Sequence, residues 1–293
     1  MTRLLILGGG GILGSELIWL AESKGIDYSA PSSKDLDVTE AQSLQEFIVE
    51  SKPTWIVNCA AWTNVDGAED SPGLSMKLNS ESVGNLASSA LQTGSSVIHF
   101  STDYVFDGSS AEPYEVSDST NPINQYGLSK LKGEQILMAS GVDAAYVVRT
   151  SWLFGVQGKN FVKTMARKAL GNQPVKIVDD QFGSPTSARD LATATFEIMR
   201  VKPIPGIYHF ANQGSTSWFE FAQEVYRLSG ARIELVKPVK SDEFKTKAIR
   251  PKNSVLSTKK WRDSNLGSIA NWQVSLGVLF PEILAEIEKE GDS

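Results

Sequence analysis

The chain has 293 residues, 41% of them hydrophobic and 21% charged, which fits a soluble globular protein with material for one large domain or two. A net charge of −6 argues against a nucleic-acid or anionic-membrane surface, and a single cysteine excludes an internal disulfide. No apolar stretch reaches membrane-spanning length and the first apolar run is too short for a signal sequence, so the cytoplasm is the expected location.

Residues 3–7 read as a buried strand, followed at once by Gly8, Gly9, Gly10, Gly11, Ile12, Leu13 and Gly14. Residues 15–24 carry apolar positions at Leu17, Ile18, Trp19 and Ala21 and predict a packed helix. Strand, glycine turn and helix form the setting of a dinucleotide fingerprint, in a register starting at Gly8 or at Gly9. Small residues let the backbone approach a pyrophosphate, and the helix N-terminus offers free N–H groups. The bland alternative is a flexible turn.

A second strand over residues 27–30 runs into Pro31, Ser32, Ser33 and Lys34. Sites that prefer NAD usually place a carboxylate here, whereas Ser32 and Lys34 suit a 2′-phosphate better. Asp37 either approaches the adenine or is a loop charge, with Thr39 capping a helix over 40–51. Residues 54–59 predict a third strand ending in Cys59, which reads as a buried structural thiol. Ala60, Ala61, Trp62 and Thr63 then cross the strand C-termini, where open α/β sheets bind ligands. A helix is predicted over 72–93 and a fourth strand over 96–102. Phe100 is expected beside the cofactor, and His99 as a satisfied core histidine.

Asn121 and Pro122 are expected to start a helix carrying Tyr126 and Lys130, whose i, i+4 spacing puts both on one face. A phenol titrates near ~10, and a neighbouring ammonium favours its ionised form. Thr102, at the end of the preceding strand, can bond a substrate oxygen that receives the same proton. General acid, electrostatic tuner and orienting hydroxyl then stand together. In an arbitrary helix the same spacing is a solvated tyrosine and lysine. After a fifth strand over 144–149, the β-then-α alternation predicts an α/β fold, a Rossmann-like doubly wound parallel sheet.

Beyond residue 150 the pattern loosens into an aromatic turn over 150–155, a basic helix start at Lys159, and a turn-rich loop over 180–186. Helices are predicted over 187–200, 218–229 and 281–290, the last with Pro281 in first position, and a short strand over 206–210 holds a structural His209. The expected division is a nucleotide-binding domain over 1–155, to which 174–212 return, and a smaller α+β C-terminal substrate domain from 156–173 and 213–293. Neither histidine has a partner at ligand spacing, so no metal is expected.

With the glycine loop, Tyr126 and Lys130 in one α/β unit, the chain resembles the extended short-chain dehydrogenase/reductases. Within them, Val57–Asp66, Ser101–Gly108, Arg149–Trp152, Asp180–Thr186 and Arg250–Ser254 resemble the dTDP-4-dehydrorhamnose reductase family. The resemblance implies reduction of the 4-keto group of dTDP-4-dehydro-L-rhamnose by NADPH, with NADH possible, in a monomer or homodimer. It implies that Tyr126 is the proton donor, that Lys130 holds the nicotinamide ribose, and that Thr102, Asp103 and Trp152 meet the sugar nucleotide. Gly11, Ile12 and Leu13 would lie on the pyrophosphate, Asp37 and Val38 by the adenine, and Ala61, Trp62 and Thr63 along the cofactor. Lys159, the helix start at Asn160 and Arg250 are the expected positive counterparts of the substrate diphosphate. Arg189 and Thr193 stand where some relatives carry acidic magnesium ligands between subunits.

Related sugar-nucleotide dehydratases carry an acidic pair after the threonine, and here Tyr104 follows Asp103. A 4-epimerase or another sugar-nucleotide ketoreductase would use the same dyad. A non-catalytic NADP-binding regulatory subunit would need neither Tyr126 nor Lys130.

Overall fold

The computed structural model describes residues 3–291. Six parallel strands, β1 (Arg3–Leu7), β2 (Asp27–Ser29), β3 (Trp55–Asn58), β4 (Ser96–Thr102), β5 (Ala145–Thr150) and β6 (Gly206–His209), form one sheet in the order β6-β5-β4-β3-β1-β2. The middle strands are apolar along almost their whole length because helices cover both faces. The helices are α1 (Ile12–Ser23), α2 (Ala41–Ser51), α3 (Ser82–Thr93), α4 (Gln125–Ala139), α5 (Phe161–Leu170), α6 (Ala188–Val201), α7 (Trp218–Leu228) and α8 (Trp272–Gly291), besides shorter ones. Leu13 and Leu17 of α1 and Leu191 and Ile198 of α6 pack on one face of the sheet. Leu44 and Ile48 of α2, Val83 and Leu86 of α3 and Leu137 of α4 pack on the other.

Chain order reverses between β1 and β3, so the connections leave in opposite directions and open a crevice at the carboxyl ends of these strands. A second apolar cluster is built from α5, α7 and α8, with Phe221, Val225, Leu276 and Phe280 fully buried or nearly so. The strand Val175–Val178, expected with the nucleotide half, instead pairs in parallel with Val236–Val239. Val175 and Ile177 pack on the second cluster, which draws this strand away from the main sheet.

Three helix expectations are corrected. The helix expected over 72–93 is broken by a π-helical turn at Lys77–Glu81, and a further helix, Val65–Asp70, precedes it. The helix with Tyr126 begins at Gln125, not at Pro122, because the Asn124 side chain accepts the Gly127 N–H at 2.8 Å and caps it there. Pro281 lies inside α8 instead of at its start. An interior proline costs about 3 kcal/mol, and burying each large apolar side chain contributes about 1.5–3 kcal/mol. Leu276, Leu279, Phe280, Ile283 and Ile287 are all buried on either side of it, so packing wins. No helix among the described residues is long and apolar enough to cross a membrane.

Candidate active site

A cleft of about 670 Å³ opens over the carboxyl ends of β1, β4 and β5, and the turn before α1 forms one wall. In that turn the Gly11 N–H donates to the Gly8 carbonyl at 3.1 Å, and α1 starts at Ile12 with no side-chain cap, leaving N–H groups of its first turn for a ligand. Gly8 has φ +79° and lies against the chain after β3, where a Cβ would be 2.7 Å from the Ala60 nitrogen. A Cβ at Gly14 would stand 2.2 Å from the Gly8 carbonyl oxygen, so the turn closes onto the helix only with glycine there. At Gly10 a Cβ would meet open space, on the side facing the cleft.

Opposite this turn, Thr102, Asp103, Tyr126 and Lys130 line the same cleft. The Thr102 hydroxyl donates to Asp103 Oδ1 at 2.9 Å and accepts the Tyr104 N–H at 3.1 Å. Asp103 is buried, its Oδ2 has no protein partner, and desolvation pushes its carboxyl up to about 6. Burial pushes the Tyr126 phenol up to about 12, opposed by a hydrogen bond with Thr102 and reinforced by the Asp103 charge. The net shift is upward, against the lowering expected from Lys130. Its Nζ is directed at His99 Nε2, 3.3 Å away, and desolvation brings the amine down to about 8, against the charge of Glu134. Tyr126 is thus held protonated, the state a proton donor requires.

The π-helical turn secures this arrangement. It presents Asn79, whose side chain accepts the Trp62 N–H at 2.8 Å and donates to the Trp62 carbonyl at 3.0 Å and to Ser129 Oγ at 2.9 Å. The segment after β3 is thereby tied to the helix turn that carries Lys130.

Farther out, Trp152 has φ +47° and stacks on Trp218, with ring centroids 3.6 Å apart and planes 11° from parallel. Gly183 makes room for this pair, since a Cβ there would lie 2.5 Å from the Trp152 ring. Asn160 also lines the cleft, yet its side chain is spent on structure: it accepts the Lys163 N–H as the α5 cap and donates to the Gly155 carbonyl. Arg250 stands apart, in an adjoining cavity of about 290 Å³, with Nη2 2.8 Å from Asp66 Oδ2. Tyr104 and Trp218 are walls of both cavities.

Of the residues expected along the cofactor, Gly11, Ile12, Leu13, Gly14, Ala61, Thr63 and Phe100 line the main cleft. Gly8, Trp62, Ser32, Lys34, Asp37 and Val38 do not. Gly8 supports the turn from below, and Trp62 points its Nε1–H at the Asn64 carbonyl. Ser32 donates to Asp35 at 2.6 Å, Lys34 is exposed, and Val38 packs on the core beside α2. Asp37 accepts the Thr39 N–H at 2.9 Å and its hydroxyl at 2.8 Å, a local turn that holds its carboxyl below the usual range.

Sequence reasoning missed Ser101, Thr150, Tyr104 and Trp218. Ser101 and Thr150 are hydroxyl residues at adjacent strand ends, which is the signal that could have found them. Both hydroxyls are buried without a partner and both residues line the cleft. Cys59 lines it too, and burial pushes its thiol up, so it is a wall and not a nucleophile. Orphaned hydroxyls, an orphaned carboxylate oxygen and an open glycine cradle at a helix N-terminus suit a dinucleotide with a polar headgroup. Among the described residues no group of three or more His, Cys, Asp or Glu is placed to hold a metal. Arg189 instead joins Glu16 and Glu282, at 2.9 and 2.6 Å.

Residues 1–284 match the family described as RmlD substrate binding domain, and the chain belongs to this family. A dTDP-4-dehydrorhamnose reductase of Streptomyces griseus is 37% identical, covering 96% of this chain and 94% of its own. A dTDP-4-keto-6-deoxy-D-glucose reductase of Streptomyces niveus is 36% identical over 97% of this chain and 98% of its own. The crystal structure of dTDP-4-dehydrorhamnose reductase from Bacillus anthracis in complex with NADP superposes with a TM-score of 0.92 at 35% identity, covering 96% of this chain and all of the other.

Proposed function

We propose that this chain reduces the 4-keto group of dTDP-4-dehydro-β-L-rhamnose to dTDP-L-rhamnose with NADPH, as its relatives' names and the Bacillus anthracis NADP complex support. The observation that carries the reading is the convergence of Thr102, Tyr126 and Lys130 on one cleft walled by the glycine turn. The residues fit the cofactor: the turn over Gly10–Gly14 would take its pyrophosphate, Ala61, Thr63 and Phe100 would border it, and Lys130 would hold the ribose. When bound, the cofactor supplies a hydride.

The chain's own part is proton supply and orientation. Tyr126, kept protonated by burial, gives its proton to the oxygen that becomes the C4 hydroxyl. Thr102 donates to the same oxygen once it turns from Asp103. Asp103 and the stacked Trp152 and Trp218 orient the sugar. Arg250, with Asp66, lies where the adjoining cavity would take the nucleotide end. In this reading residues 1–155 and 179–212 build the cofactor side, and 156–178 with 213–291 the sugar-nucleotide side, to which Asp66, Asp103, Trp152 and Gln181 also contribute.

The Streptomyces niveus relative keeps open a different configuration of the same 4-ketone, with identical proton chemistry. NADPH oxidation with enzymatically made dTDP-4-dehydrorhamnose, followed at 340 nm, tests the proposal. Turnover with the sugar nucleotide supports it. No turnover with either 4-keto sugar would leave a binding protein instead.

A further inference from the structure

Lys130 is approached from behind, on the side away from the cleft, by a string of groups with a fixed direction. Asn58 on β3 and His99 on β4 are paired in register, and the Asn58 amide nitrogen lies 3.1 Å from His99 Nδ1. Asn58 cannot be turned about, because its Oδ1 accepts the Ala60 N–H at 3.1 Å. The amide therefore donates and Nδ1 must accept. His99 is fully buried, and its pKa is held well below the ordinary value, so the ring is neutral and carries a single proton. That proton sits on Nε2, 3.3 Å from Lys130 Nζ. An ammonium has only donors to offer it, whereas a neutral amine has a lone pair.

We propose that Asn58 and His99 are positioning residues that point an N–H at Lys130 and so disfavour its ammonium relative to its neutral amine in the unliganded cleft. The donor direction runs from Ala60 through Asn58 and His99 and ends on Lys130 as acceptor. The other titratable groups near Lys130 do not overturn this. Glu134, one helix turn on, is bound at 2.7 Å by Arg149, and the Cys59 thiol and the Tyr126 phenol are held protonated by burial. The consequence for activity rests on the reading of Lys130 as a cofactor ligand, whereas the direction of the string does not.

The chain has only two histidines, and they differ. His209 Nδ1 lies 3.1 Å from the Tyr114 carbonyl and its Nε2 3.3 Å from Arg149 Nη1, so its proton sits on Nδ1. Side-chain ¹⁵N spectra of the labelled, unliganded protein at neutral pH should show one ring of each tautomer. Two Nδ1–H rings, or a doubly protonated His99, would overturn the proposal. The second arm is Asn58→Ser, whose hydroxyl can donate or accept and frees the ring to turn its lone pair to Lys130. The pH above which NADPH affinity falls, read by fluorescence titration, should rise by about one unit, the worth of one hydrogen bond. A purely structural role would weaken binding equally at every pH, and an unmoved midpoint would overturn the proposal. The spectra need no turnover, so their failure is distinct from failure of the reductase reading.

Discussion

Replacing Lys130 by methionine should stabilise the fold while damaging the site. Lys130 is 2% exposed, and its amine falls from the ordinary 10.5 to about 8, chiefly through desolvation. That fall corresponds to about 3 kcal/mol by which the buried ammonium opposes folding at neutral pH. Methionine is a flexible apolar replacement for the stem, and below about pH 8, where the Lys130 ammonium gives the His99 N–H no acceptor, it forfeits no hydrogen bond there. The net expectation is a gain of about 3 kcal/mol at pH 7. Its pH dependence has a definite sign. Between about pH 8 and 10.5 the unfolded chain keeps a proton that the native state has released, so wild-type stability rises with pH across that window. The advantage of Lys130→Met should be complete below pH 8 and fade toward pH 10.5. Urea unfolding of both proteins at pH 7 and pH 10 measures it. A variant less stable than wild type at pH 7, or a difference that does not change with pH, would refute the desolvation argument.

Three further outcomes follow from the site. Gly14→Ala drives a Cβ to 2.2 Å from the Gly8 carbonyl oxygen, so NADPH affinity should fall at least about tenfold with circular dichroism unchanged. Arg250→Ala should raise KM for the sugar nucleotide and leave the Kd of NADPH alone, since Arg250 lines the adjoining cavity and not the cofactor turn. With Ser32 and Lys34 in the loop after β2, kcat/KM for NADPH should equal or exceed that for NADH, by no more than about 1 kcal/mol at so exposed a place.

Most of the sheet was legible because buried parallel strands are written as continuous apolar runs. Residues 96–102 form β4 as expected, and the glycine turn sits between strand and helix as its spacing requires. The dyad was legible too, since Tyr126 and Lys130 need only one helix to share a face. What the sequence hid was tertiary. No local rule makes Lys130 point at His99 on β4, and the i, i+4 spacing suggested a lowered phenol where burial raises it. The π-helical turn at Lys77–Glu81 is equally silent, because the Asn79 it presents is satisfied by Trp62 and Ser129 from distant segments. Pro281 misled because a proline usually begins a helix, and only the buried residues on both sides show why this one does not.

The central claim is that Tyr126 delivers the proton to the reduced ketone. Tyr126→Phe keeps the ring against Tyr104, whose centroid is 5.9 Å away, and removes only the hydroxyl. Fold and NADPH affinity should survive. Stopped-flow single-turnover reduction of dTDP-4-dehydrorhamnose isolates the chemical step, and loss of a positioned general acid should slow it by roughly 10²- to 10⁴-fold. A single-turnover rate within a few-fold of wild type would contradict the assignment of Tyr126 as the acid.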